Sequence, residues 1–554
     1  MLTIDDVANV PLFSSLALEQ LDRLARTAAD IRLAAGEFAV HAGEEPALYA
    51  VLSGKFEVVK SFDGVERTLG WRNPGQIFGE VPIALGSPFP GSYRAAEPSR
   101  VIRIELQNYH AIAAVAPEVA QKVSALARER LGGLQSLNAE PQKPRVTLIC
   151  QRFDTEGGQL RRFLARNQIS FSWVTPDAPD LAAQWSGPCP SDSECPALRF
   201  ANGDTVFRPS VRELADRLGL QTRPRVAEYD VAIVGGGPAG LAAAVYGASE
   251  GLRTIVIERE APGGQAGTSS RIENYLGFPS GVSGDELANR ALQQARRLGA
   301  EILVTRAVEK IEPAAHRITL DGGEIVQART LILATGVSWR RLAIEGFDRF
   351  IGKGIYYGAA RSEVSATHGL NIHLVGAGNS AGQAALYFAN HANTVTLVVR
   401  GDSLEKSMSQ YLIDQIRAKS NIATLLHSEI VAVHGETSLT AIDIQNSQSG
   451  ETGRHDCGGV FSFIGADAET EWLPREIARD ARGFVLTGDD LRKTGQGPRD
   501  RDPYLLETSI PGVFACGDVR LSPVKRVAAA VGEGSMAIAF VHQYLAREGR
   551  KVSA

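Results

Sequence analysis

The spacing of hydrophobic and polar positions changes character three times along this chain. From Leu16 to Ala28 apolar residues recur at helical intervals. Short alternating segments follow. They are cut by Ala35-Gly36-Glu37, Ala42-Gly43-Glu44, Ser53-Gly54-Lys55, Asp63-Gly64 and Asn73-Pro74-Gly75. Turns this close together predict a small β-barrel or roll. Helical spacing returns from Tyr109 to Leu134. Beyond a polar, proline-containing stretch, 138–144, the pattern reads strand 145–149, helix 159–167, strand 169–174, strand 197–200 and helix 211–218. That is a small α/β unit. A second such stretch, 221–225, opens a long piece in which strand and helix alternate. Each half of it begins with a glycine-rich loop, which predicts a doubly wound parallel sheet, twice over. The expected units are 1–137, 145–222 and 226–554.

Composition narrows the picture. The 554 residues leave room for three to four domains. A net charge of −5 gives no footprint for nucleic acid. Five scattered cysteines without a CxxC exclude a disulfide framework and suit a reducing compartment. The N-terminus lacks the basic and apolar regions of a signal peptide. No run of about 18 uncharged apolar residues reads as a membrane span. A cytoplasmic protein is expected, with no metal site.

The two glycine loops carry the chemistry. In the first, Gly235 permits a tight turn after an apolar strand, Gly237 lets backbone approach a pyrophosphate, and Gly240 lets the helix pack closely. Glu258 ends the next strand, where a carboxylate can bond ribose hydroxyls. The second loop has Gly376, Gly378 and Ala381. Where the first carries its acid, the second has Val399 followed by Arg400. A carboxylate there would repel a 2′-phosphate, whereas an arginine accepts one. Lys406 adds a second positive charge. The loops therefore read as a flavin site and an NADPH site.

Further motifs lie in order between and after them: Gly263-Gly264-Gln265, 272–279 with Asn274, Ala334-Thr335-Gly336, Phe463-Ile464-Gly465, and 511–518 ending in Gly517-Asp518. With these, residues 226–554 resemble the low-molecular-weight thioredoxin reductase family. The resemblance implies FAD lined by Gln265 and Asn274, and Asp518 on the ribityl chain with 525–528 near the isoalloxazine. It further implies an NADPH domain, 346–470, inserted in an FAD domain made of 226–345 and 471–554 and rotating against it, and a homodimer.

The family's CxxC pair is missing. Its two positions hold Gly358 and Arg361, and neither side chain supplies the thiolate that disulfide exchange requires. Cys457 reads as part of a polar turn and Cys516 as a small buried residue. The middle piece resembles a glutaredoxin- or thioredoxin-like fold, carried by its strand and helix order and by Cys195-Pro196, which is similar to that fold's cis-proline. Its redox motif should fall near 154–157, and again no cysteine stands there. Cys189 and Cys195 remain open as a redox pair or as ordinary loop cysteines.

The first piece, with Ala35-Gly-Glu37, His41-Ala-Gly-Glu44, Pro74-Gly75 and Phe78-Gly79-Glu80, resembles a cyclic-nucleotide-binding domain of the catabolite-activator type. The resemblance implies a pocket from Gly79, Glu80, Arg94 and Ala95. Glu80 and Arg94 lie 14 apart, about five more than usual, across an insert at 86–91, and Glu97 adds negative charge. Either a cyclic nucleotide binds there, or the domain serves dimerisation or docking. The sequence thus reads as an FAD-dependent NADPH oxidoreductase. Its electrons pass to an external acceptor: thioredoxin, ferredoxin, flavodoxin, a quinone or oxygen. Two alternatives stay open, a thioredoxin-disulfide reductase using non-standard cysteines and a cyclic-nucleotide-responsive redox sensor.

Overall fold

The computed structural model describes residues 2–552 apart from 63–64, 140–143, 180, 186, 270, 280, 358–366, 499–500 and 523. The chain divides into two compact units, 1–143 and 144–554.

The first unit is a roll of two four-stranded antiparallel sheets. One runs Ala29–Leu33, Ser99–Glu105, Ala47–Ser53, Ile77–Phe78; the other runs Phe38–Val40, Ser92–Ala95, Phe56–Phe62, Val65–Arg72. Strand alternation separates two cores. Tyr49 and Val51 join Phe56, Phe78, Phe89 and Tyr93 inside the roll. Their neighbours Leu48 and Ala50 turn outward to Phe13, Leu24, Ile112 and Val119 of the flanking helical segments. The helix expected over 109–134 is two, Leu106–Val115 and Pro117–Ala139. Pro117 explains the break, because proline starts a helix well and pushes the residue before it out of helical backbone. Ala116 indeed sits at φ −133°, ψ 78°.

The second unit begins with a sheet ordered Phe171–Val174, Val146–Ile149, Ala197–Phe200, Thr205–Phe207. Its first two strands are parallel and joined by the helix Thr155–Arg166; the other two are antiparallel. The Cys195–Pro196 peptide is cis.

A larger sheet follows, in the order Glu301–Leu303, Thr254–Ile257, Glu228–Val234, Ile325–Leu333, Arg317–Leu320, Val308–Glu312. Late in the chain, Val513–Ala515 returns to pair with Ile325–Leu333. Between these lies an all-parallel five-stranded sheet: Ile355–Tyr357, Gly459–Ser462, Asn371–Val375, Thr394–Val398, Ile422–Leu425. Central strands such as Thr254–Ile257 are buried along their whole length, as expected for parallel sheets covered on both faces. The short strands Ser338–Trp339 and Ala466–Asp467 pair where the chain enters and leaves the inserted sheet.

Candidate functional site

Both glycine loops sit at the carboxyl ends of parallel strands. In the larger sheet Val234, Ile257, Leu333 and Ala515 are in register. The residues that follow, Gly235, Glu258, Ala334 and Cys516, therefore converge on one edge, which is where doubly wound sheets bind ligands. Gly235 has φ 105°, and an added Cβ would lie 2.4 Å from the Ala334 carbonyl oxygen. At Gly240 a Cβ would lie 1.9 Å from the Gly235 oxygen. Gly237 caps the helix Pro238–Ser249, and a Cβ there would meet nothing nearer than Gly264 Cα at 3.9 Å. The helix N-terminus is thus open to an anion while the glycines on either side are packed against backbone.

Glu258 is buried. Its Oε2 accepts from the Gly236 amide at 2.8 Å and its Oε1 from the Glu260 amide at 2.9 Å. Burial pushes its pKa up, against the pull of those two amides. The Thr335 hydroxyl, beside the Gly235 turn, is buried without a hydrogen-bond partner among the described residues. The Gln265 amide donates to the Val337 carbonyl. Asn274 is exposed.

The turn Gly517–Val519 closes the edge. The Gly517 amide donates to Glu533 Oε2 at 2.7 Å, and Arg520 pairs with Glu533 Oε1 at 2.6 Å. Lys525 Nζ donates to the carbonyls of Asp518 and Arg520, both at 2.8 Å. Burial raises the Asp518 pKa, with Lys525 opposing it. Glu533 and Arg520 escape a reading of the sequence, since a glutamate inside the helix Val527–Val552 carries no local signal. An open helix N-terminus, a buried acid and an unpartnered hydroxyl on one edge fit FAD.

The second loop repeats the plan. Val375, Val398 and Ser462 are in register. Gly376 has φ 139°, Gly378 caps the helix Asn379–Phe388 with open space around it, and Ala381 is fully buried. The segment after Thr394–Val398 folds over the loop: the Ser407 hydroxyl donates to the Ala377 carbonyl at 2.8 Å, and the Ser409 amide to Asn379 Oδ1 at 2.7 Å. Arg400 is exposed at the strand end. Lys406 pairs with Asp402 at 2.7 Å in an exposed ion pair. Such pairs are weak, so the ammonium stays available to a phosphate.

In the N-terminal unit, the grouping of Gly79, Glu80, Arg94 and Ala95 in one pocket requires correction. Along Ser92–Ala95, Tyr93 and Ala95 face the interior, and Tyr93 stacks on Phe78 at 4.2 Å. Arg94 falls on the opposite face and binds Glu57 at 2.9 Å. A strand cannot turn adjacent side chains to one face. Gly79 has φ 97° and heads the helix Glu80–Leu85. Glu80 is buried and pairs with Arg130 of the long helix at 2.9 Å. Phe89, from the insert, is buried beneath Gly79, where an added Cβ would come within 3.2 Å of its ring.

The pyridine nucleotide-disulphide oxidoreductase family profile matches residues 229–534, and a cyclic nucleotide-binding domain profile matches residues 30–114. The thioredoxin reductase of Treponema pallidum is 32% identical over 320 residues, covering 57% of this chain and 97% of that protein. The thioredoxin reductase of Bacillus subtilis is 30% identical over 320 residues, covering 57% of this chain and 95% of that protein. Among solved structures, a Lactococcus lactis thioredoxin reductase in its FR conformation superposes with a TM-score of 0.52 at 28% identity. The match covers 58% of this chain and 99% of that one.

The chain belongs to the pyridine nucleotide-disulphide oxidoreductases. Thioredoxin reductases of this family use FAD and NADPH. Gly358 and Arg361, where the resemblance places the family's cysteines, lie outside the described residues. All five cysteines are free. Burial pushes the Cys150 and Cys457 thiols up to about 12 and raises those of Cys195 and Cys516. Cys457 is not in an open polar turn as its sequence suggests. It is buried, and its thiol donates to the Gly459 carbonyl. Cys189 alone is exposed. Among the described residues no helix is long and apolar enough to cross a membrane.

Proposed function

We propose that this chain is a cytoplasmic, homodimeric FAD-dependent NADPH oxidoreductase of thioredoxin-reductase type that delivers electrons outward without a resident disulfide. The observation that carries this reading is the contrast between its two sites. Both dinucleotide loops are built in full, whereas the cysteine positions hold Gly358 and Arg361 and four of the five thiols are buried with raised pKa. Raised thiol pKa leaves little thiolate at neutral pH, and the thiolate is the reactive form.

Gly235, Gly237 and the helix after them would take the FAD pyrophosphate, Glu258 the ribose, and the Gly517-Asp518 turn the ribityl side. Gly376 and Gly378 would take the NADPH pyrophosphate, and Arg400 the 2′-phosphate. When bound, the two cofactors supply hydride transfer from nicotinamide to flavin, which needs stacking and orientation of the rings and no protein acid or base. The acceptor is ferredoxin, flavodoxin, a quinone or oxygen, and thioredoxin belongs to the alternative reading in which a non-standard cysteine carries the electrons.

The test is steady-state NADPH oxidation with ferricyanide, set beside thioredoxin plus a disulfide dye. Turnover with ferricyanide alone is expected. Robust turnover with thioredoxin that survives replacement of Cys189 and Cys195 by serine would overturn the outward route, and loss of that turnover in the serine variant would favour a non-standard cysteine shuttle.

A second reading concerns the N-terminal roll. With Arg94 turned to the outer face and Glu80 held by Arg130, the roll favours dimerisation or docking over cyclic-nucleotide sensing.

A further inference from the structure

The helix Thr155–Arg166 of the middle domain ends against the flavin loop. Arg166, with 18% of its side chain exposed, binds Glu260 Oε2 through Nη1 at 2.8 Å. Its Nη2 donates to the carbonyls of Ala261 at 2.9 Å and Gly264 at 3.3 Å. The strap 260–264 that it grips is the support of the pyrophosphate site. The Glu260 amide donates to Glu258 at 2.9 Å, and the Gly263 amide to the Gly236 carbonyl at 2.7 Å. Gly264 lies so close that an added Cβ would be 3.0 Å from Gly237 Cα.

Two further contacts fix the domain. Arg212 donates to the Thr305 carbonyl at 2.8 Å and pairs with Asp321. Leu160, Phe163 and Leu214 belong to one continuous apolar core with Val231, Ile233 and Val256 of the FAD sheet. Meanwhile the redox end of the domain is converted. Asp154 caps the helix N-terminus and accepts from the Gly157 amide, in the segment where the fold would carry its cysteines. A carboxylate there cannot attack a disulfide.

We propose that the middle domain is a fixed buttress of the flavin site rather than an electron shuttle, with Arg166 as the positioning residue that holds the strap 260–264. The Treponema pallidum reductase aligns along 97% of its length to only 57% of this chain, and the family profile begins at residue 229, after the middle domain. The proposal rests on FAD occupying the first loop.

The experiment titrates FAD into flavin-stripped full-length protein by fluorescence, for wild type, Arg166→Ala, Arg166→Lys and Glu260→Gln. NADPH KM and thermal melting of each holoprotein are measured alongside. Loss of charge-assisted bonds to three acceptors should weaken FAD binding by about tenfold or more in Arg166→Ala, with NADPH KM unchanged. Arg166→Lys should recover part of the loss, because lysine keeps the ion pair but lacks the planar fork. Glu260→Gln keeps the carbonyl bonds and should fall between wild type and Arg166→Ala. Wild-type FAD affinity in Arg166→Ala would overturn the proposal. So would equal losses of FAD affinity, NADPH affinity and melting temperature, the mark of general destabilisation. A wild-type protein that takes up no FAD would instead overturn the cofactor assignment itself.

Discussion

At the scale of single residues, Glu258 stands at the end of its strand in the first half, and the matching position in the second holds Val399, with the oppositely charged Arg400 next to it. Glu258 is held by two amides in a buried corner, whereas Arg400 stands exposed at its strand end. That contrast is legible in the sequence, because the position is set by a strand, a loop and a helix of regular length. Replacing Arg400 by alanine should raise the KM for NADPH about 10- to 100-fold, the loss of a charged hydrogen bond of about 1.5–3 kcal/mol, and leave that for NADH nearly unchanged. Equal changes for both nucleotides would show that Arg400 does not read the 2′-phosphate. Arg94 shows the opposite case. Its spacing from Glu80 is compatible with a pocket that carries an insert, yet the side chain faces away. Which face a strand residue takes depends on the phase of pairing, and a one-residue shift reverses it.

At the scale of elements, the few helices that the sequence delimits start and end within a few residues of the observed ones, as in 16–28 against the observed Leu18–Thr27. The sequence reading passes over the short helix Ile4–Ala8, which has a capping box between Thr3 and Asp6, buries Val7 in the core, and is tied through Asp6 to a distant strand. There Arg100, from the strand Ser99–Glu105, binds Asp6 at 3.0 Å and Asp30 at 2.8 Å. The guanidinium holds Asp6 at about 2 and keeps Asp30 below the usual carboxylate range. A folded-state pKa below the unfolded value of about 3.9 means that the pair stabilises the fold above that pH and that the gain fades as pH falls through about 2. Melting temperatures of wild type and Asp6→Asn should therefore differ at pH 7 and converge as the pH approaches 2. A gap that does not change with pH would exclude the ion pair as its cause.

At the scale of the whole molecule, a reductase part and a cyclic-nucleotide-binding-like roll are joined in one chain with a small α/β part before the first glycine loop, and the residues expected to carry the chemistry are present unevenly. Both glycine-rich loops are present, the positions where the resemblances put redox cysteines hold other residues, and the roll has Phe89 packed beneath Gly79. Millimolar cyclic AMP or cyclic GMP should accordingly leave both the melting temperature and NADPH oxidation of the full-length protein unchanged. Any ligand that binds the folded state raises its stability by mass action, so a saturable upward shift would overturn the docking reading of the roll.

The sequence by itself determined what is local: the glycine turns, the strand–loop–helix order, the acid and the arginine at matching strand ends, and the absence of a CxxC. Each depends on backbone geometry or on a spacing of a few residues. The tertiary structure alone decided the long-range partners. Glu533 reaches back to Gly517, Arg166 crosses from one domain to the strap of another, and Arg130 comes from a distant helix to Glu80. Pairings of this kind carry no periodic signal, because they are set by how layers stack and by which side chains that stacking buries together.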